Sequence, residues 1–195
     1  INFWEAVWLA MPEESGGNRS RLHYELDTLV SVGLNGIRIL GSSLGPNSEP
    51  YRWKPALFPE PFKHDESVFK GLDYLLHSLK ERNMKAIVSL SDFWQDSGGF
   101  AQYVFWADPS QDIPYPPSFP DFTGSWQEYI EYASRLYCDK SIMKSAQSML
   151  EKHIKTIIQR VNHINGIVYS EDNTIFSWEI TNEPQDPPRW WIDRM

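Results

Sequence analysis

The chain has 195 residues, with 18 basic and 26 acidic side chains and a formal net charge of −8. That length supports one domain with a sizeable core, or part of a larger one. The acidic balance, with no basic stripe, argues against nucleic acid as a partner, and no apolar run approaches the roughly 18 residues of a membrane span. A single cysteine, Cys138, leaves no intrachain disulfide. Nine tryptophans within a 14% aromatic content suit sugar binding, since flat rings stack on pyranose faces, although most tryptophans simply fill core. The chain opens at Ile1 with neither an initiator Met nor a signal-like segment, so the native N-terminus is expected further upstream.

In chain order, Ile1–Leu9 alternates like a strand and runs into a loop, Pro12–Ser20. Arg21–Val32 carries Leu22, Leu26, Leu29 and Val30 at helical spacing, with Gly33 at the C-cap position. Gly36–Leu40 reads as a compact strand, followed by a Pro- and Gly-rich loop, Gly41–Asp65. Val68–Arg82 is an amphipathic helix and Ala86–Leu90 another short strand. The long segment Ser91–Gly124 holds Trp94, Gly98-Gly99, Trp106 and the run Ile113-Pro114-Tyr115-Pro116-Pro117. A loop of that length inside a compact domain is usually functional. Trp126–Tyr137 and Ser141–Ile164 read as helices, and 175–181 as a strand.

Strands at 1–9, 36–40, 86–90 and 175–181, alternating with helices, predict parallel β/α units. Either an open doubly wound sheet or half of a (β/α)8 barrel fits. No Gly-rich phosphate loop follows the first strand, which weakens the nucleotide-binding version. The long loops all follow strands, as in a barrel whose site is built at the C-terminal strand ends. A complete barrel needs about 250 residues. The expectation is therefore an α/β chain holding the first four β/α units, with residues 1–195 forming the N-terminal half of one catalytic domain.

The strongest local pattern is Trp178-Glu179-Ile180-Thr181-Asn182-Glu183-Pro184, which puts Asn182 and Glu183 where a strand breaks off before a proline. A carboxyl at the C-terminal end of a parallel strand, among aromatic neighbours, is placed for proton transfer to a bound substrate. Asn182 beside it can hold a substrate hydroxyl. The alternative is a solvated turn with no chemistry.

Ile-Phe-Ser-Trp-Glu-Ile-Thr-Asn-Glu-Pro at the end of a fourth strand resembles the acid/base signature of glycoside hydrolase family 5. Asn2-Phe3-Trp4 resembles the first-strand motif of its β-mannanase branch, and Gly36-Ile-Arg38-Ile-Leu its second strand. Asp92-Phe-Trp94-Gln-Asp-Ser-Gly98-Gly99, followed by Tyr103 and Trp106, resembles the mannanase third-strand loop. The resemblance implies Glu183 as general acid/base, Asn182 on the sugar 2-hydroxyl, and Arg38 supporting the nucleophile. A barrel-interior ion pair of Arg38 with Glu179, a structural residue, is compatible with that role. Trp94, Trp4 and Trp106 are candidate stacking platforms, whereas Trp178 is packing. No histidine lies in Ser89–Trp94, which favours mannanase over cellulase. The five histidines show no ligand spacing, so no metal and no cofactor are expected.

In that family the nucleophile is a glutamate at the end of the seventh strand, and nothing in this chain matches it. The implied activity is retaining endo-hydrolysis of β-1,4-mannosidic bonds in mannan, glucomannan or galactomannan, with the 195 residues inactive by themselves. Two alternatives stand beside it. One is a β-1,4-glucan hydrolase of the same family. The other is a non-catalytic half-barrel that binds sugar or assembles with a partner chain through open strand edges. The family implies a secreted, periplasmic or cell-surface setting.

Overall fold

The computed structural model describes residues 1–49, 52–116 and 124–193. The stretch 117–123 of the expected long loop, with Pro117, lies outside the described residues.

Three parallel strands, β1 (Gly36–Leu40), β2 (Lys85–Ser89) and β3 (Ile175–Glu179), form one sheet in the order β1-β2-β3. The expected first strand, 1–9, is reduced to one bridge: Arg38 N–H donates to Ile1 O and Phe3 N–H to Arg38 O, both at 2.8 Å. The chain then turns into helix α1 (Ala6–Leu9), burying Ala6 and Val7 with Ala10 and Met11 behind them. Those four positions fit a helical face, and a short apolar run does not separate helix from strand by periodicity. With residues 1–3 beside β1, the strands still follow one another in sequence order across the sheet.

The two faces of the sheet differ. Ile37 and Ile39 of β1 and Ala86 and Val88 of β2 are fully buried in the core beneath the helices. On the opposite face Arg38, Ile87, Ser177 and Glu179 are half-buried, and Phe176, at a register irregularity opposite Ala86/Ile87, is 73% exposed. A doubly wound sheet covers both faces, so a one-sided sheet is the mark of a barrel wall whose second side faces an interior.

The helices supply the covered side. Asn18 caps α2 (Arg19–Ser31) through its side chain, and Asp65 caps α3 (Glu66–Glu81). α3 lies against α1 at Gly71, where a Cβ would sit 2.4 Å from the Val7 carbonyl oxygen. The expected long loop contains a further helix, α4 (Gly99–Ala107), which buries Phe100, Tyr103 and Val104 against α5 (Trp126–Cys138) and α6 (Met143–Ile158). Ser125 and Glu128 close a reciprocal capping box at the start of α5.

α6 stops at Ile158, six residues short of the expected end at Ile164. Segment 159–169 doubles back instead and is tied to α3 by the fully buried Asp73. That carboxylate accepts from Arg160 Nε at 3.0 Å, from His163 Nδ1 and from the Tyr169 hydroxyl. The short helix α7 (Arg189–Ile192) packs Trp191 against Phe100.

Candidate active site

β2 and β3 keep their parallel registration past their last residues. Asn182 N–H donates to Ser91 O at 2.9 Å and Phe93 N–H to Asn182 O at 3.1 Å, which sets Asp92 across from Asn182. Glu183 follows with φ +49°, a left-handed backbone that costs a side-chain-bearing residue about 1 kcal/mol or more. That turn takes the chain off the strand before Pro184 and leaves the Glu183 side chain exposed at the strand ends.

A cleft of about 260 Å³ opens there, lined among others by Trp4, Trp53, Trp94, Asp92, Asn182 and Glu183. Trp94 Nε1 donates to Glu183 Oε2 at 2.7 Å. Arg38 reaches up from β1 with its Nη2 on Asn182 Oδ1 at 2.9 Å and its Nε on Glu179 Oε2 at 2.7 Å, and its guanidinium lies 4.7 Å from the Trp4 ring centre. The interior ion pair with Glu179 is thus present, and the same arginine also fixes Asn182. Trp178 packs against the core, and one face of the Trp94 indole lies on Tyr129.

Trp106 is not part of this cleft. It sits on α4, edge-on to Tyr103 and His153, and lines a separate hollow of about 430 Å³ with Phe105, Ile113 and Tyr115. Among the cleft residues that had no role in the sequence reading are Trp53 and Asp92. Trp53 stacks on Trp8 with ring centres 5.2 Å apart, and its backbone N–H donates to the Asp96 backbone carbonyl at 3.1 Å. Buried Arg52 anchors that loop by donating to Leu44 O and Gln102 Oε1, both at 2.6 Å. Asp92 is 6% exposed and accepts from Asn182 Nδ2 at 3.0 Å, the Ser97 hydroxyl at 3.0 Å and Trp94 N–H at 3.2 Å. Burial pushes its carboxyl up to about 6, against which those three hydrogen bonds pull down. Asp92 belongs to a quoted motif, but only the 92/182 registration shows what it touches.

Among the described residues no cluster of three or more His, Cys, Asp and Glu could hold a metal, and no helix is long and apolar enough to cross a membrane.

A one-sided parallel sheet with a carboxylate, an amide and a guanidinium converging among tryptophans at its C-terminal strand ends defines the (β/α)8 glycoside hydrolase type. The chain belongs to glycoside hydrolase family 5, whose β-mannosidase-like family model matches residues 1–195. In structure it is similar to a family 5 mannosidase from Rhizomucor miehei, with TM-score 0.94 and 41% identity over 100% of this chain and 46% of that one. A glutamate-to-alanine variant of that mannosidase has been solved in complex with mannosyl-fructose. An endo-1,4-β-D-mannanase from Thermotoga petrophila shares the fold, with TM-score 0.62 and 23% identity over 93% of this chain and 44% of that one. In sequence the chain is 29% identical to mannan endo-1,4-beta-mannosidase 8 of Oryza sativa subsp. japonica, over 100% of this chain and 47% of the relative. It is also 29% identical to mannan endo-1,4-beta-mannosidase 1 of Arabidopsis thaliana, over 95% of this chain and 38% of the relative. The chain therefore spans less than half the length of these relatives, and its β/α units are a half-barrel fragment of the (β/α)8 fold.

Proposed function

We propose that the whole protein hydrolyses β-1,4-mannosidic bonds with retention, Glu183 acting as general acid and then general base. The observation that carries this reading is the convergence of Glu183, Asn182 and Arg38 on a cleft walled by Trp4, Trp53 and Trp94. Retaining chemistry needs a second carboxylate about 5–5.5 Å from the first. Of the carboxylates at the cleft, Glu179 is held by Arg38 and Asp92 by Asn182, Trp94 and Ser97, Asp96 stands on the same loop as Asp92, and none of them matches the family's seventh-strand nucleophile. The nucleophile is then supplied by the half of the relatives' length that this chain does not match.

In the first step that carboxylate bonds to the anomeric carbon while the glycosidic C–O bond breaks, and the Glu183 proton passes to the departing oxygen. In the second step water attacks the same carbon and gives its proton to the Glu183 carboxylate, which releases the sugar and restores both groups. The free N–H of Asn182 holds the 2-hydroxyl, and the tryptophans hold the flanking rings. The substrates are β-mannans, and the setting is outside the cytoplasm.

The endo mode takes its support from the plant relatives' names. A second reading, release of single mannose units from chain ends, is favoured by the 41% identity to a protein described as a mannosidase. Incubating the intact protein with mannan, mannohexaose and carboxymethylcellulose tests both. Mixed short oligosaccharides indicate endo cleavage and mannose alone indicates exo. Hydrolysis of carboxymethylcellulose with mannan untouched overturns the substrate assignment.

A further inference from the structure

We propose that Asp92 is a positioning residue of this site: its buried carboxylate sets the Asn182 amide and the Trp94 turn so that the amide's remaining N–H faces the sugar hydroxyl beside the cleaved bond. The inference rests on the glycosidase reading above.

Asn182 lies between two neighbours of opposite character. Arg38 carries only donors, so the amide oxygen must face it, and Nδ2 is thereby turned to Asp92 Oδ1. One amide hydrogen is used there and the other is left for a ligand. The same Asp92 oxygen accepts from Trp94 N–H, which starts the turn Gln95–Ser97, and the Trp94 indole reaches Glu183 at 2.7 Å. One side chain thus governs the hydroxyl-binding amide and the indole on the acid/base.

A purely local cap of the turn would need only the Trp94 and Ser97 bonds. It would not need the bond across to β3, nor a carboxylate that no cation pairs with among the described residues. Asp96 on the same loop, Tyr129 of α5, Glu179 and Glu183 on the β3 side and Arg38 of β1 are the ionisable groups around it. Ser97 also lies 3.3 Å from Trp94 O, so its hydroxyl has a second acceptor when Asp92 holds a proton. The acceptors of the carboxylate, rather than its charge, are what the amide requires.

The test compares kcat/KM of the intact protein for an aryl β-mannoside and for the same glycoside lacking the 2-hydroxyl. Asp92→Leu, of similar volume but without acceptors, is expected to lose roughly 10- to 100-fold on the mannoside, the scale of a small misplacement at a reacting centre. On the deoxy substrate the loss should be at least about threefold smaller, because the misdirected amide has no hydroxyl to lose there and only the displaced Trp94 indole on Glu183 still tells. Asp92→Asn keeps an acceptor toward Asn182 and Trp94 and should recover at least about tenfold over Asp92→Leu. A folded Asp92→Leu protein that keeps the wild-type ratio between the two substrates overturns the proposal. So does a folded Asp92→Asn protein that falls more than about tenfold below wild type on the mannoside, which decides the matter even where the leucine variant fails to fold. Glu183→Gln is assayed alongside on mannobiose, whose leaving oxygen needs the proton: if it matches wild type there, the glycosidase reading falls and this inference with it, a result distinct from either Asp92 outcome.

Discussion

Glu183 and Asn182 were legible because a strand pattern that breaks at Asn-Glu-Pro puts those two side chains at a strand end whatever the rest of the fold does. The Arg38–Glu179 pair was legible from strand parity, since both residues point to the uncovered face. Asp92 was not, because its role depends on the registration of two loops beyond their strands, and Trp53 was not, because a 25-residue loop carries no periodicity to place it. The burial of Asp92 has a consequence for stability. Its folded value of about 6 lies above the ordinary 3.8, so the folded state holds the proton more tightly and loses stability as pH rises from about 4 through 6. The full loss is on the order of 3 kcal/mol. Asp92→Asn cannot ionise, and denaturant titrations at several pH values should show that this component of the slope between pH 4 and 6 has gone. An unchanged slope would mean that Asp92 is ionised throughout.

The elements that followed expectation are those in which the apolar pattern decides. β1 matches at both ends, and α3 and α5 match within two residues. Those that departed did so through contacts distant in sequence. α4 begins at a Gly-Gly pair that reads as loop, yet Gly98 at φ +80° turns the chain so that Phe100, Tyr103 and Val104 enter the core. That helix also carries Trp106 away from the cleft. α6 ends early because Asp73, 87 residues before Arg160, accepts from Arg160, His163 and Tyr169. Burial pushes the Asp73 carboxyl up, but the hydrogen bonds from Arg160, Tyr169 and His163 outweigh it and hold the group below the ordinary value. Removing Asp73 leaves the largely buried Arg160 guanidinium with only the half-exposed Glu66 carboxylate as its ionic partner and strips the Tyr169 hydroxyl of its acceptor. Asp73→Ala is therefore expected to destabilise the protein by about 3–5 kcal/mol, read as a lower denaturation midpoint. A change under about 1 kcal/mol would show that Arg160 finds solvent instead.

At the scale of the whole molecule, the sheet has one dry face and one open one. Phe176 at 73%, Ile1 at 64% and Leu34 at 38% exposure line the open side near its N-terminal end, around a hollow of about 480 Å³ shared with Ile87. In a closed barrel such residues form interior layers, and β3 pairs with a further strand. The 195 residues by themselves should accordingly self-associate and show no mannoside hydrolysis, and light scattering with an activity assay checks both. A monodisperse, active monomer would contradict this. The central claim, that Glu183 delivers the proton to the leaving oxygen, is tested most directly by the leaving-group dependence of Glu183→Ala in the intact protein. The account predicts a fall in kcat/KM of about 10²–10⁴-fold on mannobiose, whose leaving oxygen needs the proton. On dinitrophenyl β-mannoside, whose leaving group departs without one, the first step should fall by less than about tenfold. An equal loss on both substrates would contradict it.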